Sequence, residues 1–166
     1  MSRRSSLKVM KRAAKTPLAS SPARQLASFI AKFDPAVGKL VRSTRSALRK
    51  RLPTAVEQVY DNYNFLAIGY STTERTSDTI VSLAVSAKGV ALSFYNGASL
   101  PDPHKILLGT GRQNRFLRLT SSATLAQPEV ESLLRAAIAQ AKSPLPSTGR
   151  GYTLIKSVSA KQRPRR

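Results

Sequence analysis

The spacing of hydrophobic positions changes once along this chain, from helical to alternating. Leu26, Phe29, Ile30 and Phe33 recur at i, i+3, i+4 and i+7 behind Ser21-Pro22. Serine there serves as the N-cap and proline as the first helical residue. Asp34-Pro35 repeats the start signal. In the helix that follows, Val37, Leu40, Val41, Thr44 and Leu48 line one side. Arg42, Arg45 and Arg49 line the other, with Lys39 nearby. Pro53 ends this helix. Thr54-x-x-Glu57 has the pattern of a capping box and predicts a short third helix to about Tyr60.

Beyond that point the pattern suits strands. Asn62 to Tyr70 is rich in aromatic and apolar residues, and Ser71 to Asp78 is polar and turn-like. Thr79 to Ser86 alternates, with Ile80 on one face and Val81, Leu83 and Val85 on the other. Lys88-Gly89 predicts a hairpin turn into a strand from Val90 to Tyr95, closed by Asn96-Gly97 with the glycine in a left-handed turn. Residues 98–111 predict a long loop, and Asn114 to Thr120 a fourth strand with Leu117 and Leu119 inward. Pro128 to Lys142 predicts a final helix buried through Val130, Leu133, Leu134, Ala137 and Ile138. The expected fold is therefore α+β, with N-terminal helices, a sheet of about four antiparallel strands and a C-terminal helix. Tyr152 to Val158 has the composition of an extra edge strand.

Charge divides the 166 residues differently from hydropathy. The formal net charge is +20, from 28 Lys and Arg against 8 Asp and Glu. Seven of the basic residues fall in residues 1–25 and six in residues 146–166, and neither stretch holds an acid. Residues 1–20 and 144–166 are thus expected to be basic disordered tails on a folded domain spanning 21–143. The twin arginine Arg3-Arg4 is followed by Lys8, Lys11, Arg12 and Lys15 rather than an apolar segment, which argues against an export signal. The same basic, acid-free start keeps an organellar targeting segment open as an alternative. No apolar run approaches the roughly 18 residues of a membrane span. Cysteine is absent, which excludes disulfide frameworks, zinc-thiolate sites and cysteine nucleophiles. A cytoplasmic setting is expected.

Several segments in order resemble one family. Leu52-Pro53, then Glu57-Gln58-Val59-Tyr60-Asp61-Asn62-Tyr63-Asn64, then Ile68-Gly69-Tyr70 open the match. Asn96-Gly97-Ala98-Ser99-Leu100-Pro101-Asp102-Pro103, Leu107-Leu108-Gly109-Thr110-Gly111 and the basic strand Arg115 to Leu119 complete it. Together they resemble the YdhG-like domains, small bacterial domains of unknown function, over about residues 25–142. The resemblance implies a compact α+β domain and no assigned activity. An iron-chaperone role similar to frataxin has been proposed for one relative. Such a role relies on clustered carboxylates as hard oxygen ligands, and this chain has eight acids in all.

Candidate chemistry is sparse. Glu57 and Asp61 would share a helix face, where capping explains their spacing better than paired acid–base work. His104 stands alone among prolines, with Asp102 as its one neighbour able to orient it. Gly109-Thr110-Gly111-Arg112 lacks the lysine and the following helix of a phosphate loop. No catalytic residue, metal site or cofactor is assigned, and the chain is read as a non-enzymatic binding or accessory domain. Two binding readings remain. In the first, the tails with Arg42, Arg45, Arg49, Arg112 and Arg118 attract nucleic acid or another polyanion without sequence specificity. In the second, Asp61, Tyr63, Asn64 and Asp102, backed by nearby aromatic residues, hold a small molecule or a metal.

Overall fold

The computed structural model describes residues 20–166. The tail expected over residues 1–20 lies outside this range except for its last residue. Two helices open the fold, α1 (Pro22–Ile30) and α2 (Pro35–Arg51). Four strands follow: β1 (Val56–Asp61), β2 (Leu66–Ser71), β3 (Thr79–Ser86) and β4 (Gly89–Phe94). A long loop leads to β5 (Arg115–Leu119), α3 (Pro128–Ala139) and β6 (Thr153–Val158). Among the described residues, no helix is long and apolar enough to cross a membrane.

The six strands form one mixed sheet in the order β5-β4-β3-β2-β1-β6. The first five strands are joined antiparallel, and β6 runs parallel to β1. This corrects the expected arrangement of about four antiparallel strands between N-terminal and C-terminal helices. There are two opening helices rather than three. The helix α3 is followed by a strand that crosses to the far edge of the sheet.

The residues expected to form a third helix belong to β1. The capping-box pattern at Thr54 and Glu57 is a local preference, and strand pairing on both sides of β1 overrides it. Glu57 N–H donates to the Tyr152 carbonyl at 2.8 Å, and Glu57 lies opposite Tyr70 of β2. The first expected strand, Asn62 to Tyr70, begins four residues late, at Leu66, and is the second strand of the sheet's chain order. Asn62 to Phe65 instead close the β1–β2 turn through an Asn62 N–H bond to the Phe65 carbonyl at 3.0 Å. Residues 144–166, expected to be a disordered tail, contain β6 and the buried Arg165.

Strand alternation sorts the sheet into two faces. Val59, Ile68, Leu83, Leu92 and Leu117 form one inner row across five strands. They join Leu26, Phe33, Val41 and Leu48 of the N-terminal region and Val130, Leu133 and Leu134 of α3 in a single buried core. The amphipathic periods of α1, α2 and α3 agree with this burial.

Two glycines are required by close approach. A Cβ on Gly97 would stand 2.6 Å from the Arg115 Cβ, so glycine lets the β4 exit pack against the start of β5. Its role is space, and the left-handed turn expected there is not adopted. A Cβ on Gly151 would come within 2.3 Å of the Ala55 carbonyl oxygen, where β6 enters beside β1. Gly97→Ala is expected to destabilise the fold by about 1–3 kcal/mol through this overlap. Chemical denaturation of the variant beside the parent checks it.

Candidate functional site

Strand β1 places Glu57, Val59 and Asp61 on the inner face and Gln58 and Tyr60 on the outer one. Glu57 and Asp61 are therefore both buried, about 13 Å apart along the strand rather than one helical turn apart. Each is met by cations from other elements. Arg45 Nε and Nη2 donate to the Glu57 carboxylate at 2.7 and 2.8 Å, and Arg49 Nη1 donates at 3.3 Å. The Tyr70 and Thr153 hydroxyls add bonds at 2.9 and 2.7 Å. Asp61 accepts from Lys32 Nζ at 2.8 Å and from Arg165 Nη2 at 2.9 Å. The Arg165 guanidinium also lies 5.4 Å from the Phe33 ring centre.

These pairings revise the expected sites. Arg45 and Arg49 were expected on an exposed ridge with Arg42, but they turn toward Glu57 across the α2–β1 contact. Only Arg42 of the three remains without an ion pair among the described residues. The sequence pattern hid this because it placed Glu57 on a helix. Asp61, Tyr63, Asn64 and Asp102 do not converge. Asp61 is buried in its ion pairs, while Tyr63 and Asn64 are exposed on the β1–β2 turn, with Arg163 5.8 Å from the Tyr63 ring centre. The Asp102 carboxylate instead accepts the Ile106 and Leu107 N–H groups at 3.1 and 3.0 Å. Asp102 shares a different, shallow cleft with exposed His104, Glu129 and Ser132. No set of three His, Cys, Asp or Glu side chains able to hold a metal occurs among the described residues.

The outer face has a different character. One row across the sheet reads Tyr60, Ala67, Ala84, Ala91 and Arg118, and the next reads Gln58, Gly69, Ser82, Ser93 and Phe116. Small residues thus floor a flat surface with the Arg118 guanidinium over the Phe116 ring at 5.9 Å. At one end this surface deepens into an open trough of about 410 Å³ between Phe65, Lys88 and Arg118. Lys88, Arg112 and Arg118 make no ion pair with any described residue. No periodicity signal marked Lys88 or Phe65, because a turn lysine and a loop phenylalanine carry none.

Comparison with known protein families, curated proteins and solved structures finds no match to this chain. The YdhG-like resemblance therefore rests on the quoted segments alone.

The Glu57 cluster has a pH signature. Burial acts to raise the Glu57 pKa, but the Arg45 hydrogen bond and charge, with the Thr153 and Tyr70 hydroxyls, hold it below 4.5. Burial and the Glu57 carboxylate together push the Tyr70 phenol well above 10. A carboxylate with a depressed folded pKa contributes stability above its unfolded pKa and loses it as pH falls through the folded value. Glu57→Gln is therefore expected to lower stability at neutral pH by roughly 2–4 kcal/mol, by leaving the two arginines uncompensated. The gap to the parent should narrow below pH 4.5, as read from unfolding curves across a pH series.

Proposed function

We propose that the protein is a non-enzymatic, cytoplasmic accessory domain that binds nucleic acid through backbone charge with little sequence preference. The observation that carries this reading is the imbalance of unpaired charge. Six of the 28 basic residues lie in residues 1–19, so residues 20–166 hold 22 Lys and Arg against all 8 acids. The two deepest carboxylates, Glu57 and Asp61, are already committed to internal cations. What faces solvent is a strongly positive surface, the field that attracts phosphate polyanions.

The outer face of the sheet is the best-supported contact surface. Its alanine, serine and glycine floor allows a sugar–phosphate backbone to approach closely. Lys88 and Arg118 supply cations, and Phe65 offers a partly exposed ring for stacking. The C-terminal residues contribute less than an all-tail reading requires. Arg165 is buried on Asp61, Lys156 donates to the Glu74 carbonyl, and Arg166 donates to the Lys32 and Ala31 carbonyls.

Filter binding of duplex DNA across a salt series tests the reading. Log affinity should fall against log salt with a slope of several units, on the order of 0.9 per phosphate neutralised. The double variant Lys88→Ala, Arg118→Ala should weaken binding at every sequence and reduce the slope by about two units. Absence of binding at low salt, or an unchanged slope in the double variant, refutes it.

A further inference from the structure

At the opposite end of β3 from the hairpin, five chain segments converge on a polar cleft that the charged surface does not use. We propose that this cleft is a binding site for a small, neutral, polyhydroxylated ligand. Its walls come from Thr72 after β2, the turn Ser77–Asp78 before β3, Tyr95–Asn96 after β4, Gln113 before β5 and the end of α3. The space is about 140 Å³. At roughly 10–15 Å³ per water-sized position, that suits a ligand of about ten non-hydrogen atoms.

One wall is built as a fixed network. Gln113 Nε2 donates to Asn96 Oδ1 at 2.6 Å, and Gln140 Nε2 donates to the Asn96 carbonyl at 3.1 Å. The Ser99 hydroxyl holds Gln140 Oε1 at 3.0 Å from behind. Three amides are thus locked in orientation across three segments. A second set of groups is unengaged. The Ser77 and Tyr95 hydroxyls and the Lys142 ammonium make no side-chain hydrogen bond to any described residue. The Thr72 hydroxyl is buried and has no partner among them. That oxygen is sealed from solvent, so the groups a ligand in the cleft can reach are the Ser77 and Tyr95 hydroxyls.

The chemistry selects the ligand class. Asp78, whose Oδ2 accepts from Thr73 Oγ1 at 2.7 Å, and Lys142 balance each other in charge, so the cleft has no net sign to recruit an ion. Hydroxyls and amides both donate and accept, matching the paired demand of each ligand hydroxyl. Ile80, Ala137, Ala141 and the Tyr95 ring supply an apolar floor for a carbon skeleton. This site is independent of the nucleic-acid reading.

The test is a titration of the isotope-labelled full chain, followed by amide chemical shifts. Glycerol, ribose and myo-inositol are the probes, with acetate, inorganic phosphate and glycine as charged controls. The polyols should shift the amides of Thr72, Ser77, Tyr95 and Gln113, and the controls should leave them in place. Ser77→Ala and Tyr95→Phe should each weaken polyol affinity by about three- to tenfold, the effect of one hydrogen bond. Polyols that shift no cleft amide overturn the proposal. So do charged controls acting as strongly as the polyols, and so does polyol binding that both substitutions leave unchanged.

Discussion

Two buried carboxylates on one strand tie the N-terminal helices to the C-terminal end of this chain. Glu57 receives five side-chain hydrogen bonds, from Arg45, Arg49, Tyr70 and Thr153. Asp61 receives Lys32 from just beyond α1 and Arg165 from the second-last position. A carboxylate taken out of water this completely is tolerable only with its partners in place. The strand β1 therefore settles together with α2 on one side and β6 on the other. The parallel pairing of β1 with β6 brings Thr153 to Glu57, and the chain beyond β6 then runs along the β1–β2 turn. There Ser159 N–H donates to the Asp61 carbonyl at 2.8 Å, and Arg163 N–H donates to the Tyr63 carbonyl at 2.9 Å.

This clamp also divides the positive charge. Arg45, Arg49, Lys32 and Arg165 face inward to acids, while Arg42, Lys88, Arg112 and Arg118 have no acid to meet among the described residues. The second group is left exposed to solvent. The sheet holds Arg118 away from the core: large aliphatic rows face the helices, while alanine, serine and glycine rows face outward between Tyr60 and Arg118. The polar cleft lies elsewhere, where the ends of β2, β4 and α3 meet. The charged face and the neutral cleft are built from different residues.

Much of the fold was legible from spacing. The three proline-started helices with the stripe of α3, the Lys88-Gly89 hairpin, and the β5 strand with Leu117 and Leu119 inward all follow local rules. Their side chains bury along a single helix face or strand face, so a short window of sequence contains the whole signal. β1 shows where such reading stops. Thr54 and Glu57 satisfy a capping box locally, yet Glu57 is held by Arg45, twelve positions earlier, and by Thr153, ninety-six later. The candidate ligand residues lie apart for the same reason: Asp61 is engaged by Lys32 and Arg165, and Asp102 by the Ile106 and Leu107 N–H groups.

The chain alone determined the α1, α2 and α3 faces, the alternating strands of the core and the large positive excess, because periodicity and charge are properties of consecutive residues. Only the tertiary structure decided which charges stay free and which become internal. It also decided that β6 completes the sheet beside β1, and that Thr72, Tyr95, Gln113 and Lys142 share a cleft. Those outcomes depend on contacts between segments far apart in sequence. Burial makes such contacts obligatory for a carboxylate like Glu57, and no spacing rule within the chain encodes them.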